Sequence, residues 1–150
     1  MPLLFEDGSA FASGRTTYSS LPCWPKDKPR LQLPIKLNGL ATLAVLDTGG
    51  LYLICNPEIC EELGLGSDGS EPAKIKIQGI MVTGKLERIE VQISAEKGQT
   101  LQFQATAFVP VDSPISDLPT FLGWHCCIER LRFAVDPQSE QFYFGPCQGD

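Results

Sequence analysis

The chain has 150 residues, enough for one domain with a sizeable core, since 43% of them are hydrophobic. Its formal net charge of -6 argues against nucleic-acid binding, which wants a basic surface. No apolar run approaches the ~20 residues that a bilayer span needs.

Met1 to Gly8 carry Glu6 and Asp7 and no basic stretch ahead of a long apolar one, so no secretory signal is read and a cytoplasmic location is expected. The six cysteines, Cys23, Cys55, Cys60, Cys126, Cys127 and Cys147, are then expected as reduced thiols. A metal site is not expected. His125, Cys126 and Cys127 are consecutive and would diverge on a helix, and Cys55 and Cys60 lack the spacing of a zinc knuckle. No other cofactor is implied.

Residues 1–29 are rich in Gly, Ser and Pro, and read as an extended arm ordered in part by Phe5, Phe11, Tyr18 and Trp24. The domain proper is expected over residues 30–150. Leu31, Leu33, Ile35 and Leu37 alternate with other residues, the mark of a half-buried strand. Asn38-Gly39 is a two-residue hairpin turn, and residues 40–46 return as a strand. That strand runs into Asp47-Thr48-Gly49. A carboxylate at the end of an apolar strand is costly unless it is paired, hydrogen-bonded or protonated, so Asp47 is the candidate catalytic residue. Thr48 offers a hydroxyl and Gly49 lets the backbone turn beside the carboxylate.

Asn56-Pro57-Glu58 has the order of a helix start, with an Asn cap, Pro in the first turn and an acid behind it. This helix is expected to end at Gly64. A polar loop follows over residues 67–72, then a strand through Ile75 and Ile77. Gly79-Ile80-Met81-Val82-Thr83-Gly84 reads as an apolar hairpin tip between two glycines, returning through Leu86, Ile89, Val91 and Ile93. Residues 96–99 predict a turn, 100–109 a strand and 112–117 a loop. Phe121-Leu122-Gly123 opens the next element, with a helix expected over 124–131. Short strands at Phe133 to Val135 and Phe142 to Phe144 close the chain, joined by a turn at Asp136-Pro137. The fold class is mainly β.

Three landmarks in this order resemble the retropepsin-like aspartic peptidases, particularly their bacterial members. They are the hairpin leading to Asp47-Thr48-Gly49, the glycine-bounded tip from Gly79 to Gly84, and Phe121-Leu122-Gly123. The resemblance covers about residues 31–145. It implies a closed β-barrel with a flap hairpin, and an active site built from one Asp47 of each subunit of a homodimer. It also implies an extended peptide or protein substrate held under a flap, where Ile80, Met81 and Val82 would contribute apolar subsites. Leu122 and Gly123 would thread beside the active-site loop. Thr48 would hydrogen-bond across the axis, and Gly49 would bring its N–H to the carboxylate. The chain departs from the family at Gly50, where Ala or Ser is usual, and at Trp124-His125, where viral members carry an arginine contact between subunits. The competing readings are a retropepsin-fold dimer that binds or scaffolds peptides with little catalysis, and a small β-barrel binding module in which Asp47-Thr48-Gly49 is an accident. His125, the only histidine, has no nucleophile elbow to serve and is read as a structural residue. Glu129 is read as a solvated helix position and Asp136 as a turn residue.

Overall fold

The computed structural model describes residues 3–66, 70–125 and 127–147. These residues form thirteen strands, one α-helix and one 3-10 turn. In chain order they are β1 (Gly14–Thr17), β2 (Pro22–Cys23), β3 (Lys28–Pro29), β4 (Gln32–Leu37), β5 (Leu40–Leu46), β6 (Leu53–Ile54), α1 (Pro57–Leu63), β7 (Glu71–Ile77) and β8 (Ile80–Ile93). Then come β9 (Lys97–Gly98), β10 (Leu101–Pro110), β11 (Thr120–Leu122), the 3-10 turn Ile128–Arg130, β12 (Leu131–Asp136) and β13 (Gln141–Pro146). The protein is mainly β, as the alternation of its apolar residues requires.

The larger sheet runs β10-β6-β11-β5-β4-β8-β7, and β8 pairs again with β10. Six of its strands therefore form a ring, and β7 hangs outside the ring on β8. The first hairpin is as expected. Asn38 (φ 46°) and Gly39 (φ 88°) both lie in the left-handed region, which a tight turn between twisted strands demands. Asn38 also docks this turn onto β8: its Oδ1 accepts from the Glu90 N–H at 2.8 Å, and its own N–H donates to the Glu90 carbonyl at 2.9 Å.

Helix α1 also follows its sequence signals. Asn56 Oδ1 accepts from the Ile59 N–H at 3.1 Å, Pro57 opens the first turn, and Gly64 closes the helix in the left-handed conformation at φ 68°. That end needs a residue without a Cβ penalty.

A second sheet runs β12-β13-β1-β9. Its strand β1 comes from the segment expected to be an arm. Gly14–Thr17 pairs with β13 on one side and β9 on the other, and Ala12, Thr16 and Tyr18 are buried. Lys97 and Gly98, expected in a turn, form β9.

Two expectations need correction. The helix over 124–131 is replaced by turns and the short 3-10 segment. The N–H groups of Trp124 and His125 donate to the carbonyls of Gly50 and Leu51, at 2.8 Å each, and Leu131 already pairs with Pro146. The backbone there is committed to neighbouring segments before a helical turn can propagate. The hairpin tip is also elsewhere. The turn is Gln78 (φ 52°) and Gly79 (φ 81°), while Ile80 to Gly84 lie inside the long strand β8. Gly84 is a close-approach glycine: a Cβ there would meet the Val109 carbonyl and come within 2.6 Å of the Phe108 ring.

The buried side chains form two clusters. Leu33, Ile35, Leu37, Leu53, Ile89, Val91, Ile93, Leu122, Phe142 and Phe144 belong to the first. Val45, Ile54, Ile77, Val82, Phe108, Ile115, Leu118 and Phe121 make the second. Neighbouring strand residues point to opposite faces. Ala44 and Leu122 therefore enter the first cluster while Val45 and Phe121 enter the second. The second cluster is the floor on which the site is built.

Candidate active site

Strand β5 ends at Leu46, and Asp47 begins the turn that follows. Strand β11 lies parallel to β5, with Phe121 opposite Val45 and Leu122 opposite Leu46. The Asp47 N–H donates to the Leu122 carbonyl at 2.9 Å. The Leu122-Gly123 element therefore runs directly beside the acidic loop. Gly123 permits this approach, because a Cβ on it would collide with the Tyr52 backbone carbonyl.

The loop closes on its own carboxylate. The Gly49 N–H donates to Asp47 Oδ1 at 3.2 Å, and the Gly50 N–H donates to the Asp47 carbonyl at 3.1 Å. A Cβ at Gly50 would lie 2.8 Å from Asp47 Oδ2, so the carboxylate leans over a position that a larger residue would crowd. Asp47 is half-buried, and Thr48 and Gly49 are exposed.

Asp47 faces a cleft of about 570 Å³, within the range of small-ligand and peptide sites. One wall is the loop, through Gly49, Gly50, Leu51 and Tyr52. The floor is Ile54 and Phe121. The opposite wall is the first arm of the second hairpin, Lys74 to Gln78. Of the glycine-bounded segment, Gly79, Ile80, Met81 and Thr83 are exposed, whereas Val82 and Gly84 are buried. None of the six lines this cleft. The hairpin does stand over Asp47, but it presents β7 and not the start of β8.

The sequence reading missed the β7 wall and the aromatic contributions. In the sequence Ile75 and Ile77 stand only as strand residues, Tyr52 belongs to no motif, and Phe121 enters only as the first residue of the Phe121-Leu122-Gly123 element. Trp24 meets the Phe121 ring edge-on at a centroid distance of 6.4 Å, so the N-terminal segment braces the floor from behind.

The remaining candidates are structural. His125 Nδ1 lies 3.8 Å from Glu129 Oε1, and its ring meets Tyr52 edge-on at 6.1 Å. Asp136 accepts from the Gln138 N–H and the Ser139 hydroxyl, the pattern of an ordinary turn aspartate. Cys23, Cys55, Cys60 and Cys147 are free thiols; Cys126 lies outside the described residues. A hydrogen bond with Cys60, together with burial, pushes the Cys55 thiol up from its ordinary value. That removes it as a thiolate nucleophile behind the cleft. Among the described residues no three His, Cys, Asp or Glu side chains gather where they could hold a metal ion, and no helix is long and apolar enough to cross a membrane. The chain matches no protein-family model, and no curated protein is similar enough to count as a relative.

Proposed function

We propose that the chain is an aspartic endopeptidase of the retropepsin-like type, active as a homodimer, with the ring of strands as its barrel and the β7–β8 hairpin as its flap. The observation that carries this reading is the position of Asp47. It stands in a glycine-rich turn at the end of β5, pinned through its N–H to Leu122 of the parallel strand β11, at the side of a cleft.

Peptide hydrolysis by this chemistry needs two carboxylates, and among the described residues Asp47 is the only carboxylate lining the cleft. A second copy related by a two-fold axis supplies the other. Two carboxylates a few ångströms apart share one proton, as the aspartic peptidases themselves illustrate. The ionised Asp47 takes a proton from a water held between the pair, and the protonated one donates to the scissile carbonyl. Thr48, exposed beside the carboxylate, is free to bond the partner loop. The Gly49 N–H holds Asp47 Oδ1 in place. No covalent enzyme intermediate forms, so no thiol or hydroxyl nucleophile is required.

The test is cleavage of a diverse peptide library by the purified protein, with inhibition by a statine-type transition-state mimic. Cleavage blocked by the mimic supports the reading. Peptide binding with no cleavage would favour the second reading, a non-catalytic peptide-binding dimer, for which the open edge of β7 along the cleft is the motive.

A further inference from the structure

Resting on the proposal above, we infer that the site selects extended peptides carrying acidic side chains at alternate positions, and that Lys74 and Lys76 read them. Strand β7 pairs with β8 along one edge and with no other strand among the described residues. Five successive residues, Lys74 to Gln78, line the cleft. A cleft touched by consecutive strand residues runs along the strand's edge, since alternate residues point to opposite faces. The backbone N–H and C=O groups of that edge are therefore presented to whatever lies against Asp47. An extended peptide can pair there as an added strand.

The side chains then set preference. Ala73, Ile75 and Ile77 turn toward the second core cluster. Lys74 and Lys76 are exposed on the other face. Being two apart on a strand, they stand on one side with a spacing of about 6.6 Å. Residues of a paired strand that are two apart have the same spacing. Two ammonium groups on this rail match two carboxylates of a substrate at positions i and i+2. Besides Asp47 they are the only charged residues lining the cleft among the described residues. In a chain whose net charge is -6, a local positive rail is a departure from the surface around it and steers acidic segments in. Both lysines are exposed, so each pair contributes modestly and is screened by salt.

The experiment uses two capped peptide series, identical except for Glu-x-Glu or Gln-x-Gln pairs stepped along the sequence. They are offered to wild type, to Lys74→Gln/Lys76→Gln and to Lys74→Glu/Lys76→Glu. The best Glu-x-Glu peptide should exceed its Gln-x-Gln twin in kcat/KM by about fivefold at low salt, and the ratio should fall toward one at high salt. The ratio should vanish in the Gln variant and invert in the Glu variant. Cleavage of both series at equal rates by wild type would overturn the charge preference and leave the peptidase reading standing. If wild type cleaves neither series, the peptidase reading fails, and fluorescence anisotropy of the same labelled peptides decides this inference separately. Preferential binding of Glu-x-Glu that is lost in the Gln variant upholds it. Equal binding, or none, overturns it.

Discussion

At the scale of single residues, Asp47, Gly50 and Gly123 separate three kinds of constraint. Asp47 is chemical. Asp47→Asn is nearly isosteric and keeps an oxygen for the Gly49 N–H, but an amide cannot act as a general base. Peptidase activity should fall to background while the thermal unfolding curve stays close to wild type. Gly50 is a soft steric constraint. The atom in its way is Asp47 Oδ2, the far end of a rotatable side chain, so Gly50→Ala should cost less than about 1 kcal/mol of stability. The carboxylate would turn away from position 50. Gly123 is a hard constraint, because there the obstacle is the backbone of Tyr52. Gly123→Ala should cost about 2–3 kcal/mol, read as a lowered urea midpoint. If both alanine variants were equally stable, the two contacts would not differ as described. The turn at Asp47, Thr48 and Gly49 was legible in the sequence because an apolar strand running into Asp-Thr-Gly marks it locally. The hardness of Gly123 was not, because it depends on Tyr52, a residue on a different strand connection.

At the scale of elements, legibility followed the strength of local signals. Asn38-Gly39 and the Asn56-Pro57…Gly64 frame carry their turn and cap chemistry within a few residues, and both elements formed where expected. Asn56 does more than cap α1. Its N–H donates to Thr120 Oγ1 at 3.0 Å and its Nδ2 donates to the Leu118 carbonyl at 2.8 Å. It thereby ties the helix start to the entrance of β11. Asn56→Ala removes the cap and the Leu118 bond together, and should cost about 2 kcal/mol, seen in denaturant unfolding. The β7–β8 tip was misplaced for an identifiable reason. Gln78 is a weak turn former, whereas the apolar run between Gly79 and Gly84 imitates a loop. What decides the matter is the Phe108 ring and the Val109 carbonyl on β10, which is paired to β8 across a long sequence interval. The helix expected over 124–131 failed similarly, its backbone donors drawn off by Gly50 and Leu51.

At the scale of the whole molecule, the mainly-β architecture was readable from alternation. The pairings that complete the ring, of β11 with β5 and β6 and of β6 with β10, were not, since partners distant in sequence leave no local mark. The proposed dimer makes a distinctive prediction. After complete subunit exchange between equal amounts of wild type and Asp47→Asn, about a quarter of the dimers hold two wild-type chains. Activity per total dimer should fall to about a quarter. A value of one half, with exchange confirmed by a mass tag, would mean that each chain carries its own complete site. Stability should also depend on pH through Glu96. The Thr17 N–H first, and the Thr17 and Thr16 side chains after it, hold the Glu96 carboxyl below its ordinary value, and Thr17 and Thr16 belong to β1. A carboxyl depressed in the folded state stabilises above its unfolded value of about 4.3. That contribution is lost as pH falls through the lower folded value. The melting temperature should therefore drop on acidification below about pH 4, and by less in Glu96→Gln. The Glu96 side chain is exposed, so the difference is a small one.

The position of β1 also governs the order in which the chain can assemble. Its four residues sit between β9 and β13, and Arg15 Nη1 reaches Gln141 Oε1 at 2.6 Å across 126 residues of sequence. During synthesis β1 emerges long before its main partner β13. The ring of strands, complete once β11 is made, can close while β1 still has no β13 to join. A nascent chain should thus pass through a stage in which the Asp47 loop is framed but the second sheet is open. The second sheet closes only when β13 arrives to join a β1 made more than a hundred residues earlier.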